Sequence, residues 1–254
     1  MLRVKTGLPV NPWKVFCYDV VKIQVLSSVI KQNPRGYSFQ TCNMLKVNEI
    51  FVSIQGESSF TGLPFAFVRL TGCDLRCAYC DTKYAYDEGE FLSIDEIIQK
   101  VQSFEVQRVC VTGGEPMLQQ ETLALLRKLC NLQFIVTLET NGHHSVADVD
   151  EHVHIILDMK TPGSGMCDKN LYENLNLMKQ KDEVKFVIMD RTDYEWVKRI
   201  MDEFELAKRT QILLSPCENT LKPSELAEWM LEDKLDCRLQ LQLHKIIWGN
   251  QRAK

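Results

Sequence analysis

Three thiols stand close together in this chain. Cys73, Cys77 and Cys80 lie in Gly72-Cys73-Asp74-Leu75-Arg76-Cys77-Ala78-Tyr79-Cys80-Asp81-Thr82, with the spacing C-x3-C-x2-C. Thiolates are soft ligands suited to zinc or to iron–sulfur clusters. A structural zinc site wants a fourth Cys or His, usually in a second close-set pair. No such pair occurs, because Cys17, Cys42, Cys110, Cys130, Cys167, Cys217 and Cys237 are scattered singly. Three ligands on one loop can instead hold three irons of a 4Fe–4S cube and leave the fourth iron open to a small molecule. Electron-transfer clusters ordinarily take four Cys. A zinc-binding module without catalysis is the alternative that the spacing leaves open.

Other residues could serve such a loop. Thr112-Gly113-Gly114-Glu115-Pro116 follows an apolar run. A glycine pair before proline is ordinarily a turn. Beside a cluster loop, glycines also let backbone carbonyls approach a cation without a Cβ in the way, and Glu115 adds charge. Gln55, Glu57 and Arg69 are polar residues in or beside apolar stretches. Isolated cases are usually solvated edges, but a guanidinium also binds a carboxylate as a bidentate pair. Glu139 and Asn141 close another apolar run and offer hydrogen bonds to hydroxyl or carboxylate groups. Taken alone, Thr82 is a turn hydroxyl, His244 an ordinary histidine, and Cys110 and Cys130 small buried hydrophobes.

Together these motifs resemble the radical S-adenosylmethionine (SAM) superfamily. Tyr79 is the aromatic before the last cysteine, and Gly113-Gly114-Glu115-Pro116 matches the superfamily's GGEP motif. A longer ordered series is similar to the 7-carboxy-7-deazaguanine synthases. It comprises Glu49-Ile50-Phe51-Val52-Ser53-Ile54-Gln55-Gly56-Glu57, Phe67-Val68-Arg69-Leu70-Thr71-Gly72-Cys73, Cys80-Asp81-Thr82, Leu138-Glu139-Thr140-Asn141-Gly142 and Gln242-Leu243-His244-Lys245. The resemblance runs from about Leu45 to the C-terminus.

The resemblance implies a 4Fe–4S cluster on Cys73, Cys77 and Cys80, SAM on the open iron, and Mg2+ on Thr82. It implies SAM contacts from Tyr79, Cys80, Asp81, Gly113, Gly114, Glu115, Glu139 and Asn141. Two more SAM segments are implied, Asp158-Met159-Lys160 and Ser215-Pro216-Cys217-Glu218. The first departs from the Ser-Pro-Lys of some relatives, so only Lys160 transfers cleanly. Implied substrate contacts are Ile54, Gln55, Gly56, Glu57, Arg69, Thr112 and His244. The implied reaction contracts the ring of 6-carboxy-5,6,7,8-tetrahydropterin to 7-carboxy-7-deazaguanine with loss of ammonia, a step of queuosine and deazapurine biosynthesis. SAM is regenerated in that family. A homodimer and an electron donor such as flavodoxin or ferredoxin are likewise implied. The rival within enzymes is a glycyl-radical-enzyme activase, which shares the cysteine spacing but acts on a partner protein. Some relatives end soon after the segment matching His244 and use their terminal carboxylate on the substrate. This chain continues to Lys254, so that role is not carried over.

Positioning these residues requires a sheet. The pattern predicts strands at Phe65–Leu70, Arg108–Thr112, Phe134–Glu139, Ile155–Lys160, Val184–Met189, Gln211–Leu214 and Arg238–Leu243. It predicts helices from Ser93, over Leu118–Cys130, Lys169–Lys179, Tyr194–Lys208 and Ser224–Leu235. Ser93 with Glu96 three residues on is a capping box, and Ile94, Ile97, Ile98 and Val101 recur at helical spacing. Alternating strands and helices mean a parallel α/β sheet of right-handed crossovers. About six such units are too few for a complete eight-fold barrel. The expectation is an open, partial (β/α)6-type radical SAM barrel whose ligands collect at the C-terminal strand edges.

Composition narrows the remaining classes. The chain has 254 residues and a net charge of −4 with no strong polybasic block, which argues against binding nucleic acid through phosphate contacts. No apolar run is long enough to span a membrane. Ten cysteines in a chain of this length suit reduced thiols in the cytoplasm better than a short secreted disulfide scaffold. Residues 1–43 read differently, with Pro9, Pro12, Pro34 and Gly36 around a short β-branched run and Asp19 as the single acidic residue. They are expected to be a poorly ordered or non-native extension, with Met44 as the natural start of a core domain over 44–254.

Overall fold

The computed structural model describes residues 44–254, and the expectations for residues 1–43 lie outside the described residues. The strands are β1 (Met44–Ile54), β2 (Pro64–Leu70), β3 (Glu90–Ser93), β4 (Arg108–Gly113), β5 (Ile135–Thr140), β6 (His154–Met159), β7 (Glu183–Ile188), β8 (Gln211–Pro216) and β9 (Arg238–Leu239). The helices are α1 (Ile94–Gln102), α2 (Thr122–Asn131), α3 (Arg191–Glu203), α4 (Pro223–Glu232) and α5 (Leu243–Trp248). All the strands join one open sheet in the order β3-β1-β2-β4-β5-β6-β7-β8-β9. From β2 to β9 every pairing is parallel. The sheet does not close, as the partial-barrel reading required.

Strand alternation divides this sheet chemically. Side chains two apart share a face. One set (Val68 and Leu70, Val109 and Val111, Val136 and Leu138, Leu157 and Met159, Val184 and Phe186, Ile212 and Leu214) packs into the main core. There it meets the apolar stripes of the helices: Ile97 and Val101 of α1, Leu125 and Leu129 of α2, Val197 and Ile200 of α3, and Leu226 of α4. The other set faces away from the helices. At its lower end a small cluster of Phe65, Phe67 and Cys110, flanked by Phe51 and Phe60, fills the space. Above it the same face carries Arg69, Thr112, Glu139, Asp158 and Lys185, which line a cavity.

Several elements differ from the sequence reading. β1 and β3 are antiparallel additions at one edge, which the crossover pattern did not contain. The segment expected to be helical over Lys169–Lys179 forms 3-10 turns at Cys167–Lys169 and Tyr172–Leu177. Buried Asn174 explains this: its side chain accepts from Val146 N and donates to the carbonyls of Gly142 and His144. Those bonds tether neighbouring loops rather than ride a helix face. The last strand is two residues long, and Leu243 opens helix α5 instead. The third crossover helix starts at Arg191, where Asp190 caps it by accepting from Asp193 N, and a left-handed Glu205 follows its end. The capping box at Ser93 forms with both of its bonds.

Candidate active site

The cavity opens at the C-terminal ends of the parallel strands and has a volume of about 630 Å³. One wall is the loop after β2. Gly72 at φ +101° turns the chain out of the strand, and Glu115 N and Gly72 N tie that turn to its surroundings at 2.7 Å and 2.9 Å. Arg76 bonds the carbonyls of Cys73 and Leu75 and stacks on the Tyr86 ring, so the loop is braced from inside. Cys73, Cys77 and Cys80 are free thiols on the cavity wall, and Asn141 Nδ2 approaches Cys73 Sγ at 3.9 Å. Burial pushes the Cys73 and Cys77 thiols above their ordinary value, so a bound cation is what would deprotonate them.

The three sulfurs are not drawn around a single ion. Tetrahedral zinc would hold them roughly 3.8 Å apart. Among the described residues, the His/Cys/carboxylate set with its ligand atoms all within 4.8 Å of one another is Asp74, His143 and His144. The three sulfurs therefore do not all lie within 4.8 Å of one another, wider than one tetrahedral zinc ion would draw them.

The glycine pair serves packing. A Cβ on Gly113 would lie 2.3 Å from the Leu70 carbonyl oxygen, and one on Gly114 would lie 2.3 Å from that of Gly72. The end of β4 therefore seats directly on the cysteine loop, and both glycines also line the cavity. Glu115 does not. It is fully buried, accepting from Thr140 Oγ1 (2.7 Å) and Met117 N (2.8 Å) on one oxygen and from Asn141 N (2.6 Å) on the other. It staples the ends of β4 and β5, and the expectation that it faces a ligand directly is corrected. Met159 is corrected too: alternation turns Asp158 and Lys160 into the cavity and Met159 into the main core.

The floor is polar and buried. Arg69 donates from Nε to Glu49 (2.8 Å), and although burial opposes its charge, nearby Tyr84 and Glu49 keep the guanidinium protonated. Glu139 accepts from Gln55 Nε2 (3.2 Å) and Thr112 Oγ1 (3.1 Å). Burial, reinforced by the Glu57 charge, pushes its carboxyl up. Glu57 is ion-paired with Lys185 and accepts from Gln242 Nε2 at 2.7 Å. Lys185 also approaches Asp158 (3.5 Å), and Asp158 accepts from Lys160 (2.9 Å). Burial alone would raise Glu57 and Asp158, but the adjacent ammonium groups hold both below the usual carboxylate range.

Helix α5 forms the rim. Leu243 N donates to the Gly56 carbonyl at 2.9 Å, and His244 lies so close that a Cβ on Gly56 would meet its Nδ1 at 1.9 Å. Lys245 bridges Asp81 (2.9 Å) and Glu218 (2.7 Å), joining the cysteine loop to the segment after β8. Thr82 donates to Asp81 at 2.8 Å. Ser53 Oγ and Ser215 Oγ are buried on the cavity wall with no hydrogen-bond partner among the described residues. Such orphaned hydroxyls are what a polar ligand would satisfy.

The structure thus brings Ile54, Gln55, Gly56, Glu57, Arg69, Tyr79, Asp81, Thr82, Thr112, Asn141, Lys160, Ser215, Pro216, Cys217, Glu218 and His244 to the same cavity as the three thiols. Sequence reasoning missed Lys185, Gln242 and Lys245 as cavity residues. A signal for Lys185 existed: a lone charge within the apolar strand Val184–Ile188, in phase with the polar face.

The sequence profile described as the Radical SAM superfamily matches residues 67–229. A 7-carboxy-7-deazaguanine synthase from Chlorobaculum tepidum is 46% identical over 208 residues, covering 81% of this chain and 94% of the relative. One from Koribacter versatilis is 40% identical, covering 80% and 97%. Among solved structures, QueE from Escherichia coli superposes with a TM-score of 0.67 at 24% identity, covering 84% of this chain and all of that one.

Proposed function

We propose a chemistry for this site from one premise: the chain belongs to the radical SAM superfamily and, within it, to the 7-carboxy-7-deazaguanine synthase family. It is a radical SAM enzyme that needs a 4Fe–4S cluster, SAM and a reductant. It acts on a small molecule, 6-carboxy-5,6,7,8-tetrahydropterin, which it converts to 7-carboxy-7-deazaguanine with loss of ammonia. The observation that carries this reading is a single 630 Å³ cavity walled by three free thiols and floored by alternating charges. That volume lies within the ordinary range for enclosed small-molecule sites, and it disfavours the activase, whose substrate is a protein.

Cys73, Cys77 and Cys80 would hold the cluster. When bound, the cluster and SAM supply an electron and a 5′-deoxyadenosyl radical able to abstract hydrogen from the pterin C6 position. The chain's own residues do the rest. Gly113, Gly114 and Asn141 offer polar groups beside the thiols for the methionine end of SAM, and Lys160 and Ser215 offer further donors on the cavity wall. Arg69, kept protonated, is a partner for the substrate carboxylate. Gln55, Glu57, Thr112 and Glu139 present the donors and acceptors that a flat pterin edge requires. The Phe65 and Phe67 cluster, with Phe51 packed on it, lies beneath this polar floor as an apolar base.

Thr82 and Asp81 place hard oxygen atoms side by side on the wall, a donor set that suits Mg2+ with water and substrate oxygens completing it. Asp81 stays ionised because Lys245 overrides the effect of its burial. A homodimer, a flavodoxin or ferredoxin as electron donor, and a cytoplasmic location complete the proposal. Among the described residues no helix is long and apolar enough to cross a membrane.

Anaerobic purification tests the cofactor half directly. A brown protein absorbing near ~400 nm, bleached by Cys77→Ala and cleaving SAM to 5′-deoxyadenosine when reduced, supports the reading. A colourless chain loaded with zinc contradicts it.

A further inference from the structure

Lys185 stands on β7 in register with Asp158 on β6, between the fully buried Val184 and Phe186. A buried ammonium is unfavourable unless it is paired and hydrogen-bonded. This one is shared between Glu57 and Asp158. All three side chains line the cavity, so the pairing lies where a substrate would sit. Glu57 is gripped from two sides, by Lys185 on Oε2 and by Gln242 on Oε1. Each carboxylate oxygen has a second lone pair, so both keep acceptor capacity after these bonds. Among the described residues, Glu139 on the neighbouring part of the same face has no lysine in hydrogen-bond contact and takes only the weaker Gln55 and Thr112 donors.

We propose that Lys185 is a positioning residue for the substrate: its ammonium fixes Glu57, against Asp158, as an acceptor-only carboxylate that takes the N–H donors of the flat pterin edge. This rests on the substrate reading given above. A protonated Glu57 would carry its own O–H and offer a donor where the pterin amino and ring N–H groups also donate. Lys185 prevents that mismatch. Burial raises the Glu57 carboxyl, and the ammonium reverses the shift. The other charged groups acting on Glu57 are His244 from α5 and Glu139 from β5, and Asp158 from β6 shares its Lys185. Of these, His244 has its pKa pushed down from the ordinary imidazole value by burial.

The test uses reconstituted holoenzyme and 6-carboxytetrahydropterin, with KM and kcat measured from about pH 6 to about pH 9. Wild type, Lys185→Met, Lys185→Arg, Glu57→Gln and the Lys185→Met/Glu57→Gln pair are compared. Absorbance near ~400 nm and SAM cleavage report that each variant holds its cluster. Because Lys185 and Glu57 also act on His244, the KM ratios are measured again on a His244→Asn background, which removes that titration. Without its cation, buried Glu57 must lose a proton before both of its oxygens act as acceptors. The Lys185→Met ratio is therefore at least about tenfold at the acid end and falls as pH rises. Lys185→Arg restores most of the loss. On a Glu57→Gln background, Lys185→Met adds less than about twofold, because the two act through one carboxylate. Should Lys185→Met fail to hold its cluster, Lys185→Gln, which keeps a polar head, is read the same way. A pH-independent ratio, or an equal cost of Lys185→Met with and without Glu57, overturns the inference. Wild-type enzyme that cleaves SAM but leaves the pterin unchanged overturns the substrate reading instead, and the inference with it.

Discussion

Replacing Gly114 by alanine separates two explanations of the glycine pair. If the glycines serve only to expose backbone to a ligand, Gly114→Ala weakens SAM binding and leaves the apo fold intact. The geometry demands the opposite order of effects. The new Cβ would lie 2.3 Å from the Gly72 carbonyl oxygen and 2.8 Å from Cys73 Cβ. Neither obstacle is the end of a flexible side chain. The strand end must move away by roughly 1 Å to restore ordinary contact, which costs about 1–3 kcal/mol as overpacking. That movement pulls on Glu115 N→Gly72 O (2.7 Å) and Gly114 N→Leu70 O (3.1 Å). Each of those bonds is worth about 0.5–1.5 kcal/mol. The expected loss is therefore about 2–6 kcal/mol, or roughly 4–24 °C in Tm for a chain of this size. Gly165→Ala is the control: it has open space around its Cβ but φ +73°, so it bears only left-handed strain of about 1–2 kcal/mol. The assay is thermal or urea unfolding of the apo proteins, followed by iron loading. Gly114→Ala should unfold earlier than Gly165→Ala and take up less iron. Wild-type stability and iron content with weakened SAM binding would refute the packing argument.

Two further outcomes follow from the same packing and charge arguments. Gly56→Ala drives His244 from its seat, since the Cβ would meet its ring at 1.9 Å. KM for the pterin should rise while cluster absorbance is unchanged, and His244→Ala should remove much of the added cost; additive effects of the two substitutions would contradict the shared seat. Glu183 is buried and accepts from Ser59 N (2.9 Å) and His154 Nε2 (3.1 Å). Burial would raise its carboxyl, but the His154 and Ser59 bonds override this and lower it. Its contribution is thus present above the unfolded carboxylate pKa and lost as pH falls through the depressed folded value. Glu183→Gln should cost about 1–3 kcal/mol at neutral pH, with the gap to wild type closing only below about pH 4.5. A gap that widens on acidification would show the sign to be wrong.

Local signals were the most legible in the sequence. The Ser93 capping box needs only residues within one turn, and it formed as read. The parallel strands were visible as apolar runs because one face packs on the helices and the other is apolar except where it lines the cavity. What the sequence hid depends on partners far along the chain. The antiparallel strands β1 and β3 pair with each other from Met44↔Ser93 to Val47↔Glu90, and no local pattern encodes so distant a pairing. Matching whole segments to motifs assigned Met159 alongside Asp158 and Lys160, although period-two alternation sends it to the opposite face. Glu115 looked like a free charge because its three hydrogen-bond partners come from two different strand ends. Lys185 was overlooked inside an apolar strand, where its paired acids lie 128 residues away at Glu57 and on the next strand at Asp158.

The central claim is that three cysteines and one charged cavity make a single site for radical chemistry on a pterin. Anaerobic reconstitution with iron and sulfide, followed by SAM, reductant, Mg2+ and 6-carboxytetrahydropterin, tests it most directly, with products read by mass spectrometry. Wild type should yield 7-carboxy-7-deazaguanine and Cys77→Ala none. Cleavage of SAM to 5′-deoxyadenosine with the pterin recovered unchanged would contradict it.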